Sequence, residues 1–285
     1  MNIKRISKRS MSITAGLIVL ALALSGCTTP GPEVTDISMA GSTTVQPLAE
    51  ELADAYMAID ELVNITVAGG GSSVGVAAAA NGTADIGMAS RALKSSEEGL
   101  GLVAHHLASD GIALVTPDAA ALNITCLTVA EVRDIFAGTI TNWIEVGGAN
   151  ATIIVIAREE GSGTRAAFEE LVMEEEVITE DALLFPSNGA LRTAVATTPN
   201  SIGFLSFGYL DDSVDPFAVD AEEGDGCMEA TVENALSGDY PIVRPLLLLT
   251  LGEPTGKVEE FIDWCLGPDG QAIVAASYIP TGPTS

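Results

Sequence analysis

The chain has 285 residues, 47% of them hydrophobic, and a formal net charge of -27; that much apolar content excludes a disordered acidic polypeptide. Lys and Arg number 12 against 39 Asp and Glu, with no basic run outside the first ten residues, which excludes the electrostatic footprint of a nucleic-acid binder. Domains usually run to about 100–200 residues, so the length allows one large domain or two modest ones with a ligand cleft between them.

Residues 1–10 carry Lys4, Arg5, Lys8 and Arg9 without an acid, and Met11 to Leu24 is apolar, the n-region and h-region of an export signal. The run is short for a membrane span, which needs about 20 residues. Leu24-Ser25-Gly26-Cys27 resembles the lipobox of prokaryotic lipoproteins. Residues 1–26 are therefore expected to be a signal peptide and Cys27 the lipidated N-terminus, with residues 27–33 a tether that holds the chain at the outer face of the cytoplasmic membrane. From Cys27 onward 39 acidic and 8 basic side chains give a net of -31, a charge that keeps an exported surface soluble by repulsion. Cys126, Cys227 and Cys265 are spaced too widely for a CxxC pair and allow at most one disulfide; which pair forms it, if any, stays open.

Beyond the tether, β-branched runs alternate with Ala-rich amphipathic stretches: Val34 to Met39, then Val45 to Ile59; Val63 to Val67, then Val74 to Asn81; Thr152 to Ala157, then Thr164 to Glu175. That alternation predicts βα units and a mainly parallel sheet. Between strand and helix stand Gly41-Ser42-Thr43-Thr44, Gly69-Gly70-Gly71-Ser72-Ser73 and Gly161-Ser162-Gly163-Thr164-Arg165. One such cluster is ordinary helix capping. Three at strand ends, which face the crevice of an open α/β sheet, offer backbone N–H groups and hydroxyls to one anion. Scarce positive charge sits beside them: Arg158 and Arg165 flank the third cluster, and Arg91 ends DIGMASR. A guanidinium binds phosphate or carboxylate with paired hydrogen bonds, so Arg158 is a candidate clamp. Asp85 and Asp110 are candidate acceptors, because a protonated phosphate has a donor to give and sulfate has none.

AGSTTVQP from Ala40, the GGGSS loop, DIGMASR from Asp85, DGIA from Asp110, VRDIFAGTITNWIEVGG from Val132, REEGSGTRAAFEEL from Arg158, SIGFLSFGYL from Ser201 and YPIVRPL from Tyr240 together resemble the phosphate-binding lipoproteins of high-affinity phosphate ABC importers. The resemblance implies a periplasmic-binding-protein-like fold of type II, two α/β domains joined by two crossing strands around a ligand cleft. The crossings are expected near Gly111 to Val115 and Val243 to Thr250. Residues 34–112 with 245–285 would then form the first domain, and residues 113–244 the second. It implies phosphate contacts at Thr43, Thr44, Ser72, Ser90, Arg158, Ser162, Gly163 and Thr164, with Ser42, Arg91 and Asp110 as further candidates. Where better-known members place an acceptor aspartate, this chain has Ser90, which leaves Asp110 as the candidate for the phosphate proton.

Two enzyme motifs are formal matches only. Gly71-Ser72-Ser73-Val74-Gly75 fits G-x-S-x-G, with Asp85 and His105 following in order, yet the strand and helices such a triad needs do not fit between Ser73 and His105. Gly252 to Lys257 is one residue short of a P-loop and reads as a turn. The expected function is capture of inorganic phosphate for the permease of an ABC importer, as a monomer, with no catalysis, metal or cofactor; the alternatives are a receptor for another tetrahedral oxyanion and, less favoured, a phosphatase or esterase on the same scaffold.

Overall fold

A computed structural model describes residues 34–282 except Glu223 and Asp225; the signal peptide, the lipidation site at Cys27 and the tether lie outside the described residues. The first βα units follow the sequence pattern closely. Strand β1 (Thr35–Gly41) leads to helix α1 (Gln46–Met57), β2 (Val63–Ala68) to α2 (Ser72–Ala80), and β3 (Ile86–Ala89) completes the group. Pro47 opens α1, where its missing N–H costs nothing, and Leu48, Ala49, Leu52, Ala53 and Tyr56 make the buried stripe expected at helical spacing. Strand β1 pairs in parallel with β2 on one side and β3 on the other. Gly75 lets α2 settle directly on that sheet: a Cβ there would run into the carbonyl of Met88 and lie 2.9 Å from that of Ala40.

Strand β4 (Leu102–Thr116) has 15 residues and leads into a second set of elements. These are α3 (Ala119–Leu122), β5 (Cys126–Thr128), α4 (Val129–Ala137), β6 (Ile154–Arg158), α5 (Gly163–Phe168), β7 (Leu183–Phe185), α6 (Asn188–Thr197) and β8 (Ser201–Ser206). Short strands β9 (Asp215–Pro216) and β10 (Ala218–Asp220) and helix α7 (Val232–Ser237) follow; β11 (Val243–Leu251), α8 (Lys257–Leu266), α9 (Pro268–Val274) and β12 (Ile279–Pro280) end the chain. Thr128 and Glu131 form a reciprocal capping box at the start of α4. A π-helical turn, Glu169–Met173, prolongs α5.

The main sheet runs β2-β1-β3-β11-β4-β8-β6-β7, with β9 and β12 attached to β4. Its two ends are parallel, as expected, but β11 is antiparallel to both β3 and β4, and β4 to β8. The sheet is therefore mixed rather than mainly parallel, because its centre consists of the two long strands that run between the βα groups. Buried apolar side chains gather in two larger clusters. One draws on residues 37–108 and 246–278; the other draws on residues 112–242 together with Ile279. Strand β4 contributes Leu107 and Ala108 to the first and Ile112 to Val115 to the second. A disulfide joins Cys126 to Cys227, 101 residues apart, and Cys265 is a buried free thiol.

Candidate functional site

The three Gly/Ser/Thr clusters meet where β4 and β11 pass between the two apolar clusters. Ser42 Oγ donates to Ser90 Oγ at 2.9 Å, and Ser72 Oγ accepts from the Ser90 N–H at 3.0 Å, which ties the first two clusters to the end of β3. The third cluster arrives from the other side. Thr164 Oγ1 lies 3.1 Å from Thr44 Oγ1, and the Ser73 N–H donates to the Gly161 carbonyl at 3.1 Å. Gly163 is glycine for want of room, since a Cβ there would collide with Ser72 Oγ and lie 2.6 Å from Ser90 Oγ. Ser42, Thr43, Thr44, Ser72, Ser90, Ser162 and Thr164 are all buried. Burying so many hydroxyls is costly unless each finds a partner.

Arg158, at the end of β6, is 2% exposed and donates to the Phe185 and Pro186 carbonyls and to Thr43 Oγ1, at 3.1, 2.9 and 3.3 Å. Every one of those partners is neutral. Its Nη1 has no partner among the described residues. Burial, reinforced by the charge of Arg244 nearby, lowers Arg158 to about 10. A buried guanidinium of this kind is complete only with an anion beside it. Arg165 supports it from behind, donating to its carbonyl at 3.1 Å while pairing with Glu160 and Glu169.

A second guanidinium reaches the same place from β11. Arg244 stands opposite Asp110 in the β11–β4 register, with Nη2 2.9 Å from Asp110 Oδ2. It also donates to Thr44 Oγ1 at 3.0 Å and to the Ser90 carbonyl at 3.2 Å. Asp110 is saturated: Oδ2 also takes the Arg244 Nε, and Oδ1 accepts from Ser206 Oγ and the Phe207 N–H at 2.9 and 3.2 Å. Burial raises its carboxyl against the opposing pull of Arg244. With both oxygens occupied, Asp110 anchors Arg244 and has no lone pair turned to a ligand. Two guanidiniums and one carboxylate leave the site with a net charge of about +1.

Other candidates lie elsewhere. Asp85 accepts from the Ser38 N–H and hydroxyl on an exposed stretch. Arg91 makes a bidentate pair with Glu97 at 2.7 and 2.8 Å, and only a 3.5 Å contact to Ser73 Oγ points it toward the clusters. Ser73, Asp85 and His105 do not meet, His105 being hydrogen-bonded to Thr250. Sequence reasoning missed Arg244, Asn188 and Tyr209. Asn188 Nδ2 donates to Thr44 Oγ1 at 2.9 Å, and Tyr209 Oη donates to the Thr43 carbonyl at 2.6 Å. The available signal for Arg244 was a lone arginine in VRPLLLLTL, a strand too apolar to bury it unpaired.

With this geometry in view, comparison with known proteins is direct. The profile of the PBP superfamily domain matches residues 27–269. The phosphate-binding protein PstS of Bacillus subtilis is 33% identical over 254 residues, covering 86% of this chain and 80% of that one. A crystal structure with bound phosphate, from a Clostridium perfringens protein assigned as a phosphate ABC transporter substrate-binding protein, is 39% identical. It superposes with a TM-score of 0.80 over 86% of this chain and 99% of that one. An ABC-type phosphate transport receptor from Vibrio cholerae is 32% identical, with a TM-score of 0.71 over 86% and 100% of the two chains. The chain belongs to the PBP superfamily and, within it, to the family of phosphate-binding proteins PstS.

Proposed function

We propose that this chain captures inorganic phosphate outside the cytoplasm and delivers it to the membrane permease of an ABC importer, with no catalysis of its own. The observation that carries this reading is Arg158, buried without an acid partner among the described residues and beside hydroxyls from the loops that follow β1 and β6. Thr43, Thr44, Ser72, Ser90, Ser162 and Thr164 supply hydroxyl donors and Gly163 a close backbone approach, with Ser42 completing the first loop. Each hydroxyl can donate to one phosphate oxygen, and Arg158 neutralises the charge. Arg91 is left as a structural ion pair and Asp110 as the anchor of Arg244.

Residues 34–112 with 245–285 would be one lobe and residues 113–244 the other. The division of the buried apolar side chains supports this, apart from Ile279, which packs with the second group. Phosphate bridging both lobes would favour the closed arrangement by its higher affinity for it. Cys27 would carry the lipid that keeps the chain at the outer face of the membrane; among the described residues no helix is long and apolar enough to cross it. The test is calorimetric titration of the chain, stripped of bound anion, with phosphate and then sulfate. One-to-one phosphate binding without sulfate heat supports the reading; sulfate binding alone would change the ligand, and silence to both would overturn it.

A further inference from the structure

We propose that Asn188 is the specificity residue of this site: its Oδ1 accepts the proton that a phosphate retains, and so selects protonated oxyanions over fully ionised ones. The proposal rests on the phosphate reading above and deepens it. Asn188 opens α6 and is 0% exposed. It lies two residues after Pro186, which with Phe185 holds Arg158 through backbone carbonyls. Its Nδ2 is fixed on Thr44 Oγ1, whereas its Oδ1 is buried with no partner among the described residues. Two unsatisfied buried atoms, the donor Arg158 Nη1 and the acceptor Asn188 Oδ1, thus adjoin the same hydroxyl cluster. Hydrogen phosphate satisfies both at once, because it carries acceptor oxygens and one P–OH donor; sulfate satisfies only the first.

The hydroxyls around the site already accept hydrogen bonds within the protein. Thr44 Oγ1 receives Asn188 and Arg244, Ser72 Oγ receives the Ser90 N–H, Ser162 Oγ receives the Arg165 N–H, and Thr43 Oγ1 receives Arg158. Thr43, Ser72 and Ser162 are left with protons to give, while Thr44, with both lone pairs taken, turns its proton to Thr164 Oγ1 at 3.1 Å. Asp110, the acceptor expected from the sequence, has both oxygens engaged by Arg244, Ser206 and Phe207. A buried acceptor left unmatched is penalised, which is how a polar site rejects a ligand lacking the complementary donor.

Phosphite is the probe that isolates this contact. In alkaline buffer its one remaining hydrogen sits on phosphorus and does not donate, whereas phosphate keeps a P–OH; in acid buffer phosphite regains one. Affinities for both anions are measured on the full chain in detergent by competition against radiolabelled phosphate, which reads weak as well as tight binding. Wild type should prefer phosphate over alkaline phosphite by about 10- to 100-fold. Asn188→Leu should reduce that ratio to about threefold or less and weaken phosphite only in acid. Asn188→Asp keeps an acceptor and removes the donor, so it should retain the ratio even where absolute affinity falls. An Asn188→Leu chain that loses both anions equally in alkaline buffer, or an Asn188→Asp chain that loses the ratio, overturns the assignment to Oδ1. A wild-type chain that ignores phosphate overturns the phosphate reading beneath it.

Discussion

Replacing Arg158 by methionine should leave ligand-free stability nearly unchanged while weakening phosphate strongly. The side chain is 2% exposed and its three hydrogen bonds all end on neutral oxygens. Its fall from 12.5 to about 10 corresponds to about 3 kcal/mol spent on keeping the guanidinium charged, at about 1.36 kcal/mol per pH unit. Methionine removes that cost and leaves two carbonyls and a hydroxyl without their donor, a loss of at least about 3 kcal/mol. The two nearly cancel in the empty protein, so its Tm should stay within about 4 °C of wild type. With phosphate the variant is clearly the weaker. Loss of two charge-assisted hydrogen bonds costs at least about 3 kcal/mol, more than a hundredfold in Kd. Differential scanning calorimetry with and without phosphate reads both effects. A variant that melts lower when empty and keeps its phosphate affinity would show Arg158 to be a structural residue and refute the reasoning.

Other substitutions test separate parts of the account. Gly163→Ala should weaken phosphate by at least about tenfold, since its Cβ would meet Ser72 and Ser90 across the site; calorimetric titration checks it, and unchanged affinity would mean the loops do not close as tightly as described. Asp110→Asn leaves Arg244 buried and unpaired, so it should cost about 3–5 kcal/mol in urea unfolding without altering the preference for phosphate over phosphite. Removing the Cys126–Cys227 link, which spans 101 residues, should cost about 4–5 kcal/mol on the loop-entropy model, read by denaturant titration with and without reductant, while phosphate affinity stays within about threefold. Arg91 holds Glu97 below the ordinary glutamate value. That pair therefore stabilises the fold at neutral pH and loses its contribution as pH falls through the acid range; Glu97→Gln should flatten the acid limb of a Tm-against-pH curve.

The local parts of this site were readable from the chain because each is a short stretch with its own chemistry. Gly41 to Thr44, Gly69 to Ser73 and Gly161 to Arg165 declare themselves by glycine and hydroxyl content between a β-branched run and an amphipathic one, and all three converge. Arg158 stood out as a scarce cation at a strand end. What escaped was pairing at long range. Asp110 and Arg244 are 134 residues apart in sequence, and only the register of β4 against β11 makes the aspartate a partner for arginine instead of a partner for ligand. Asn188 carries no local signal of its own, since Ser187 is the residue that caps α6 and the proximity of Asn188 to Thr44 depends on how α6 packs. The mixed sheet has the same origin: β3 and β11 lie far apart in sequence, and nothing in the local alternation of strand and helix reports their direction.

A crystal structure of the chain grown with phosphate would show the occupied site itself. A tetrahedral anion should lie within hydrogen-bond distance of Arg158 Nη1 and of the hydroxyls of Thr43, Thr44 and Ser72, with one of its oxygens against Asn188 Oδ1. An anion bound elsewhere, or Arg158 satisfied by a protein carboxylate while the hydroxyl cluster holds no anion, would contradict it.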